Sequence, residues 1–296
     1  MSGCGKRVIT AISAAAILIS CCVVELRADF RHARMGPRPR AMGSAFVAVA
    51  DDANSVYWNP AGMSQVERFE AIGCRTSLYD VEGLSNDYVS AVYNLPRYLA
   101  LGFSWVRLGL EDIYHEDTIN MALSGKVPSI KGLSVGASVK MFLLAAPGYE
   151  KYNDPAYDGR VIEPSYDIGV HYAPAENWSL GAVVYNISEP EMALLKTTQN
   201  PDPIHRNIAV GVKYVFRDML MMTYDIKTRF GDLGDTEGRI GGEVWFFNSV
   251  ALRGGFKQDR MTAGLGLKHT FWQLDIMLET HNELGNMYQL SATVRL

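Results

Sequence analysis

The chain has 296 residues, 48% of them hydrophobic and 20% charged, with a formal net charge of −4 at neutral pH. That balance is too polar for a bundle of membrane-spanning helices and too apolar for a disordered chain. The acidic surplus argues against nucleic acid as a partner, because a phosphate backbone wants a basic surface.

At the N-terminus, Lys6 and Arg7 precede an apolar run from Val8 to Val24, broken only by Thr10, Ser13 and Ser20. This is the pattern of an export signal, and Leu26-Arg27-Ala28 offers a cleavage site before Asp29. A rival site exists: Leu18-Ile-Ser-Cys21 resembles a lipoprotein processing box, which would place a lipid on Cys21. Val23, Val24 and Leu26 would make an awkward tether, so cleavage after Ala28 is the preferred reading. Residues 1–28 carry Lys6, Arg7 and Arg27 against Glu25, a net of +2, so their removal leaves −6. Cys4, Cys21 and Cys22 go with them. Cys74 alone cannot form an internal disulfide and reads as a small strand residue without chemistry.

Residues 29–68 lack strand character. Arg31 to Arg40 is basic and contains Pro37 and Pro39, and Ala45 to Ala50 is a run of small apolar residues. Asp51, Asp52, Asn54 and Ser55 follow and favour caps and turns. Asn59-Pro60 favours a turn or a fresh helix start. An Ala-Phe-Val-Ala-Val-Ala run does not stay free in water, so this segment is expected to fill an interior.

From residue 69 onward, fourteen segments have strand character: 69–79, 86–95, 98–107, 117–127, 132–144, 164–173, 178–186, 206–216, 219–229, 238–247, 249–257, 260–269, 271–280 and 286–296. About ten residues is the length a tilted membrane-spanning strand needs. Several alternate cleanly. Trp272, Leu274, Ile276 and Leu278 oppose Gln273, Asp275 and Glu279, and Tyr288, Leu290, Ala292, Val294 and Leu296 oppose Gln289, Ser291, Thr293 and Arg295. Successive strand side chains point to opposite faces, so each segment has one greasy and one wet face. The links sort in the same way. Those at 96–97, 128–131, 174–177, 217–218, 248 and 270 are short, whereas 145–163, 187–205 and 230–237 are long, and only the short link 258–259 breaks the rule. Short periplasmic turns, long outer loops and an even strand count mark a bacterial outer-membrane barrel with both termini on the periplasmic side. A soluble β-sandwich would not sort its loops this way. The prediction is an all-β, 14-stranded antiparallel transmembrane β-barrel. Tyr88, Trp105, Tyr172, Trp178, Tyr214, Trp245, Phe246, Trp272 and Tyr288, near strand ends, are candidates for its interfacial girdle.

Enzyme chemistry is not expected. The histidines are scattered without metal-ligand spacing. His171 is predicted to face the lumen, but it reads as a solvated or hydrogen-bonded residue rather than half of a Ser–His pair. Gly264-Leu-Gly266 lies inside an alternating strand and not at a phosphate-binding turn. The acidic pairs Glu116-Asp117 and Asp232 to Asp235 are read as solvated outer-loop residues before calcium ligands. No cofactor and no metal are expected.

The run RAMGSAFVAVADDANSVYWNPAGM, from Arg40 to Met63, followed by a barrel, resembles the FadL-type outer-membrane transporters of hydrophobic compounds. It is closer still to their relatives grouped as PorV/PorQ-like or UPF0164 proteins. Gly43, Ala45, Ala50, Asp52, Ala53, Asn59, Pro60, Ala61 and Gly62 sit where that family places them. The resemblance implies a signal peptide (1–28), an N-terminal hatch (29–68) folded into the lumen, and a barrel (69–296) in the bacterial outer membrane. It also implies passive passage of a hydrophobic, long-chain fatty-acid-like ligand. Asp51, Asp52, Asn54, Asn59, Pro60 and Ala61 are the expected latch and gate. An alternative role is that of PorV-like components of type IX protein secretion, which hold exported proteins. Loops 145–163 and 187–205, with Tyr149, Tyr152, Tyr157 and Met192, would then make the contacts. Expected partners are outer-membrane lipid and either a hydrophobic ligand or an exported protein. A wide fourteen-stranded cylinder also needs a filler on physical grounds, since its own side chains cannot close it.

Overall fold

The computed structural model describes residues 35–78, 81–95, 99–111, 113–157, 159–258, 260–281 and 285–296. The predicted signal peptide, both processing sites and residues 29–34 lie outside the described residues.

The described residues form sixteen strands: β1 (Phe69–Leu78), β2 (Leu84–Leu95), β3 (Leu99–Leu110), β4 (Tyr114–Lys126), β5 (Leu133–Ala145), β6 (Arg160–Ala175), β7 (Trp178–Tyr185), β8 (Glu191–Met192), β9 (Asp202–Pro203), β10 (Asn207–Phe216), β11 (Leu220–Arg229), β12 (Asp232–Phe246), β13 (Val250–Lys257), β14 (Arg260–Lys268), β15 (Trp272–His281) and β16 (Gly285–Arg295). β8 and β9 make a small hairpin of their own. The other fourteen follow one another around a closed barrel, each antiparallel to its neighbours, with β16 returning to pair with β1. Closure removes every sheet edge, the condition for a sheet to live in lipid.

The period-two pattern dictates the wall. Along β15, Gln273, Asp275, Met277 and Glu279 are buried, while Trp272, Leu274, Ile276 and Leu278 are exposed. An exterior of exposed Leu, Ile, Val and Phe over a polar interior reverses a soluble protein and suits a bilayer. On the outside of β1 to β4, Arg75, Asp87, Arg107 and Asp117 stand directly opposite one another with alternating sign. Arg107 donates to both Asp117 oxygens, at 2.7 and 3.0 Å. Such opposite-charge neighbours stabilise a sheet.

Three expectations are corrected. β4 starts at Tyr114, so Glu116 and Asp117 are paired strand residues: Glu116 shares the inward face with Thr118, and Asp117 takes part in the outer charge row. β12 starts at Asp232 and absorbs the second acidic cluster. Tyr88 and Trp245 do not join a girdle. Tyr88 shares its parity with inward Asn86 and Ser90 and is fully buried; Trp245 shares that of inward Glu243 and lies under the Arg253 guanidinium. Parity, and not nearness to a strand end, decides which face a ring meets. Trp178 and Tyr214 do form an outward pair, with ring centres 4.9 Å apart.

Residues 35–66 fill the lumen. The helical turns Pro37–Ala41 and Ser55–Trp58 and the 3₁₀ turn Pro60–Gln65 are short, and the run Ala45 to Ala50 is completely buried. The wall makes room with glycines. Gly241 and Gly255 are cross-strand partners on β12 and β13. A Cβ on either would collide with the backbone of Met42 or Gly43. Gly136 and Gly169, partners on β5 and β6, receive Pro60–Ala61 and Asn59 in the same way.

Candidate functional site

The plug is seated on polar contacts spread around the barrel. Arg38, in the first helical turn, sends its Nε and one terminal nitrogen to Glu243 on β12, both at 2.9 Å. Its other terminal nitrogen reaches Asp51 at 2.5 Å and Asp52 at 2.8 Å. Burial works against the Arg38 charge, but Asp51, Glu243 and Asp52 outweigh it and hold the guanidinium protonated. Burial lifts the Asp52 carboxyl above its ordinary range despite Arg38. For Asp51, burial acts in the same direction, but the Arg38 charge prevails and holds it below that range.

Other contacts repeat the theme. Arg40 pairs with Glu279 on β15. The backbone N–H groups of Phe46 and Val47 both donate to one Asp225 oxygen on β11, at 2.7 and 2.9 Å. Ser179 on β7 donates to the Ala48 carbonyl at 2.6 Å, and His171 on β6 lies 3.1 Å from that oxygen. His171 is thus a buried, hydrogen-bonded lumen residue. Thr262 on β14 donates to the Ala41 carbonyl and accepts from the Gly43 N–H. These contacts satisfy backbone groups that a short, irregular segment cannot satisfy itself.

The six residues singled out in the sequence fall into three groups. Asn59 reaches the wall directly. Its amide nitrogen donates to Val47 at 2.8 Å and to the Val170 carbonyl of β6 at 3.1 Å, while its oxygen accepts from the Ala61 N–H. Pro60 and Ala61 pack into the gap left by Gly136. Asp51 and Asp52 meet the wall through Arg38, and Asn54 donates to Asp52 inside the plug. Sequence reasoning passed over Arg38 and Arg40, whose residue type placed them in a basic stretch and nothing more. It also passed over Asp225, Glu243 and Glu279, although alternation had already assigned the last of these to a wet face.

Above the plug, toward the long loops, lies a cavity of about 200 Å³. Tyr57, Trp58, Lys140, Phe142, Tyr185 and Arg239 are among its lining residues. The long loop between β7 and β10 folds down beside it, where Met192 and Ile204 bury against Phe142 and Leu144 of β5. Pairing from β2 through β4 runs without a register shift. The wall's irregularities among the described residues are at Thr228/Arg229 and between Tyr172 and Ala175.

No protein-family model matches the chain, and no curated protein matches its sequence. Solved structures do. The Pseudomonas putida toluene transporter TodX superposes with a TM-score of 0.65 at 12% identity, covering 89% of this chain and 99% of that one. The CymD monoaromatic hydrocarbon channel gives 0.62 at 15% identity, covering 88% and 97%. A Pseudomonas aeruginosa FadL homologue gives 0.57 at 14%, covering 86% and 96%. The fold is that of the FadL-type channels. Identities this low establish shared architecture alone.

Proposed function

We propose that the protein is a passive outer-membrane channel for hydrophobic small molecules of the long-chain fatty-acid kind, gated by its N-terminal plug. One observation carries this reading: a lipid-facing barrel is closed by a segment held on exchangeable polar contacts. Groups of that kind can exchange one partner for another, and a ligand favouring the displaced arrangement shifts the balance toward it. Pairing is continuous from β2 to β4, and the barrel closes on itself with register shifts only at Thr228/Arg229 and Tyr172 to Ala175 among the described residues, which favours movement of the plug as the route inward. Asp51, Asp52, Asn54, Asn59, Pro60 and Ala61 serve as latch residues in this scheme, with Arg38 as the link to the wall. Relatives in fold that are described as hydrocarbon channels and a toluene transporter support the ligand class. The test is uptake of long-chain fatty acid, or growth on it, with and without the gene. Unchanged uptake overturns the reading.

A second role, as an outer-membrane secretion component that holds exported proteins, draws on the organised outer surface. Tyr149 lies 5.3 Å ring-to-ring from both Tyr152 and Tyr157, and Tyr157 bridges to Leu195 of the other long loop. Loss of surface-protein export with fatty-acid uptake intact selects this role.

A further inference from the structure

Arg239, Lys257 and Arg260 stand directly opposite one another on β12, β13 and β14, all on the lumen face and all lining the cavity above the plug. Like charges directly opposite in a sheet repel and destabilise it. The outside of the same barrel obeys the opposite rule, with its alternating row from Arg75 to Asp117.

Nearby acids neutralise the inner row incompletely. Glu237 is shared by Arg239 at 2.7 Å and Lys257 at 3.3 Å. Glu279 lies 3.4 Å from Arg260 but also pairs with Arg40. Lys140 faces the same cavity and is matched by Asp167 at 2.7 Å. Lys227 also faces it and makes no ion pair among the described residues. The Nε atoms of Arg239 and Arg260 are buried and find no hydrogen-bond partner there, and Arg239 as a whole is 6% exposed. Unsatisfied buried donors are costly, and local rules are broken in this way mostly at functional sites.

We propose that this cationic row is a binding site for an organic oxyanion, a carboxylate or phosphate carried on a compact body. Three adjacent strands present donors to one cavity, so the oxyanion would supply the charge and acceptors that the wall withholds. The cavity is smaller than the roughly 300–1,000 Å³ of ordinary ligand pockets, which limits the body to something compact. Tyr57, Tyr185 and Phe142 beside the row offer faces for an aromatic ring. The inference goes beyond the channel reading, whose ligand is a long chain and not a compact anion, and the binding does not depend on that reading.

The test is calorimetric titration of the purified barrel in neutral detergent with benzoate, phenyl phosphate and uncharged benzyl alcohol. At least one anion is expected to bind saturably and at least tenfold tighter than the alcohol; which anion wins names the oxyanion. Lys257→Gln/Arg260→Gln is expected to lose at least tenfold in that affinity. Lys227→Gln, which breaks no ion pair, is a second variant expected to weaken the anion severalfold should the double variant fail to fold. Equal binding of alcohol and anions, binding of neither anion, or undiminished affinity in these variants overturns the proposal. If the anion binds as expected while gene loss leaves uptake unchanged, the channel reading fails and the site stands.

Discussion

Arg38 of the plug grips Glu243 of the wall through two parallel hydrogen bonds of 2.9 Å each. Glu243 also accepts from Arg253 at 2.6 Å, and Arg253 donates to Asp275 at 2.6 Å. Asp275 accepts from Gln273, whose carbonyl accepts from Arg295 at 2.9 Å; Arg295 then reaches Glu70 at 2.6 Å. Glu70 accepts from the Ala53 N–H, so the chain of contacts leaves the plug at Arg38 and returns to it at Ala53. It crosses β12, β13, β15, β16 and β1 on the way. One network thus closes the barrel seam and seats the plug.

Arg38→Met is expected to loosen the plug, because buried Asp52 and half-buried Asp51 lose their cation and the wall's Glu243 loses its link to the plug. Removing one partner of a buried ion pair costs about 3–5 kcal/mol. Planar-bilayer recording should show openings that the unaltered protein lacks, and denaturant unfolding should shift downward.

Gly255→Val places a branched side chain where the Gly43 backbone sits. The expected result is a barrel that still inserts but cannot seat its plug, read as raised conductance and protease sensitivity of residues 35–66. Gly73→Ala is the control: it faces open space on the outer wall and should leave both readings unchanged.

Asn59→Ala removes three hydrogen bonds at once, strands the Val47 carbonyl and takes from the Val170 carbonyl its contact with the plug. Each buried group left unpaired costs about 1–3 kcal/mol. The cost should be recovered in part by Asn59→Gln only if the longer side chain can still reach both carbonyls. Unfolding midpoints of the two variants decide the matter.

Ile276→Arg sets a charge in the middle of the lipid-facing side of β15, where Ile276 is 48% exposed. Near the bilayer midplane such a change costs about 2–4 kcal/mol. Folding into liposomes at graded urea should show that loss. Equal folding of both proteins would contradict a membrane-embedded wall.

The strands were legible because lipid outside and polar groups inside impose a period of two that survives in a single sequence. Fourteen barrel strands follow from it, with ends within a few residues of those predicted for most. β6 and β12 run farther outward than expected, because polar residues at strand tips pair as readily as apolar ones once a neighbouring strand stands beside them. Tyr88 shows the limit: an aromatic near a strand end looks like girdle until register fixes its face.

The plug was legible as an apolar segment in need of cover, and its Asn59-Pro60 turn as a structured point. Its seat was not. Arg38 and Glu243 lie 205 residues apart, and nothing local in either marks the other as its partner. The inward glycines share this silence, since a glycine in an alternating strand is read as a weak point until a second backbone is found against it.

Alternation of side chains therefore determined by itself that this chain closes into a greasy-walled cylinder with a wet interior, because solvent acts on each residue separately. Only the tertiary structure decided which charges become neighbours: the alternating row outside, the cationic row within, and the arginine that holds the plug. Pairings of that kind depend on register and closure, which join residues that the sequence keeps far apart.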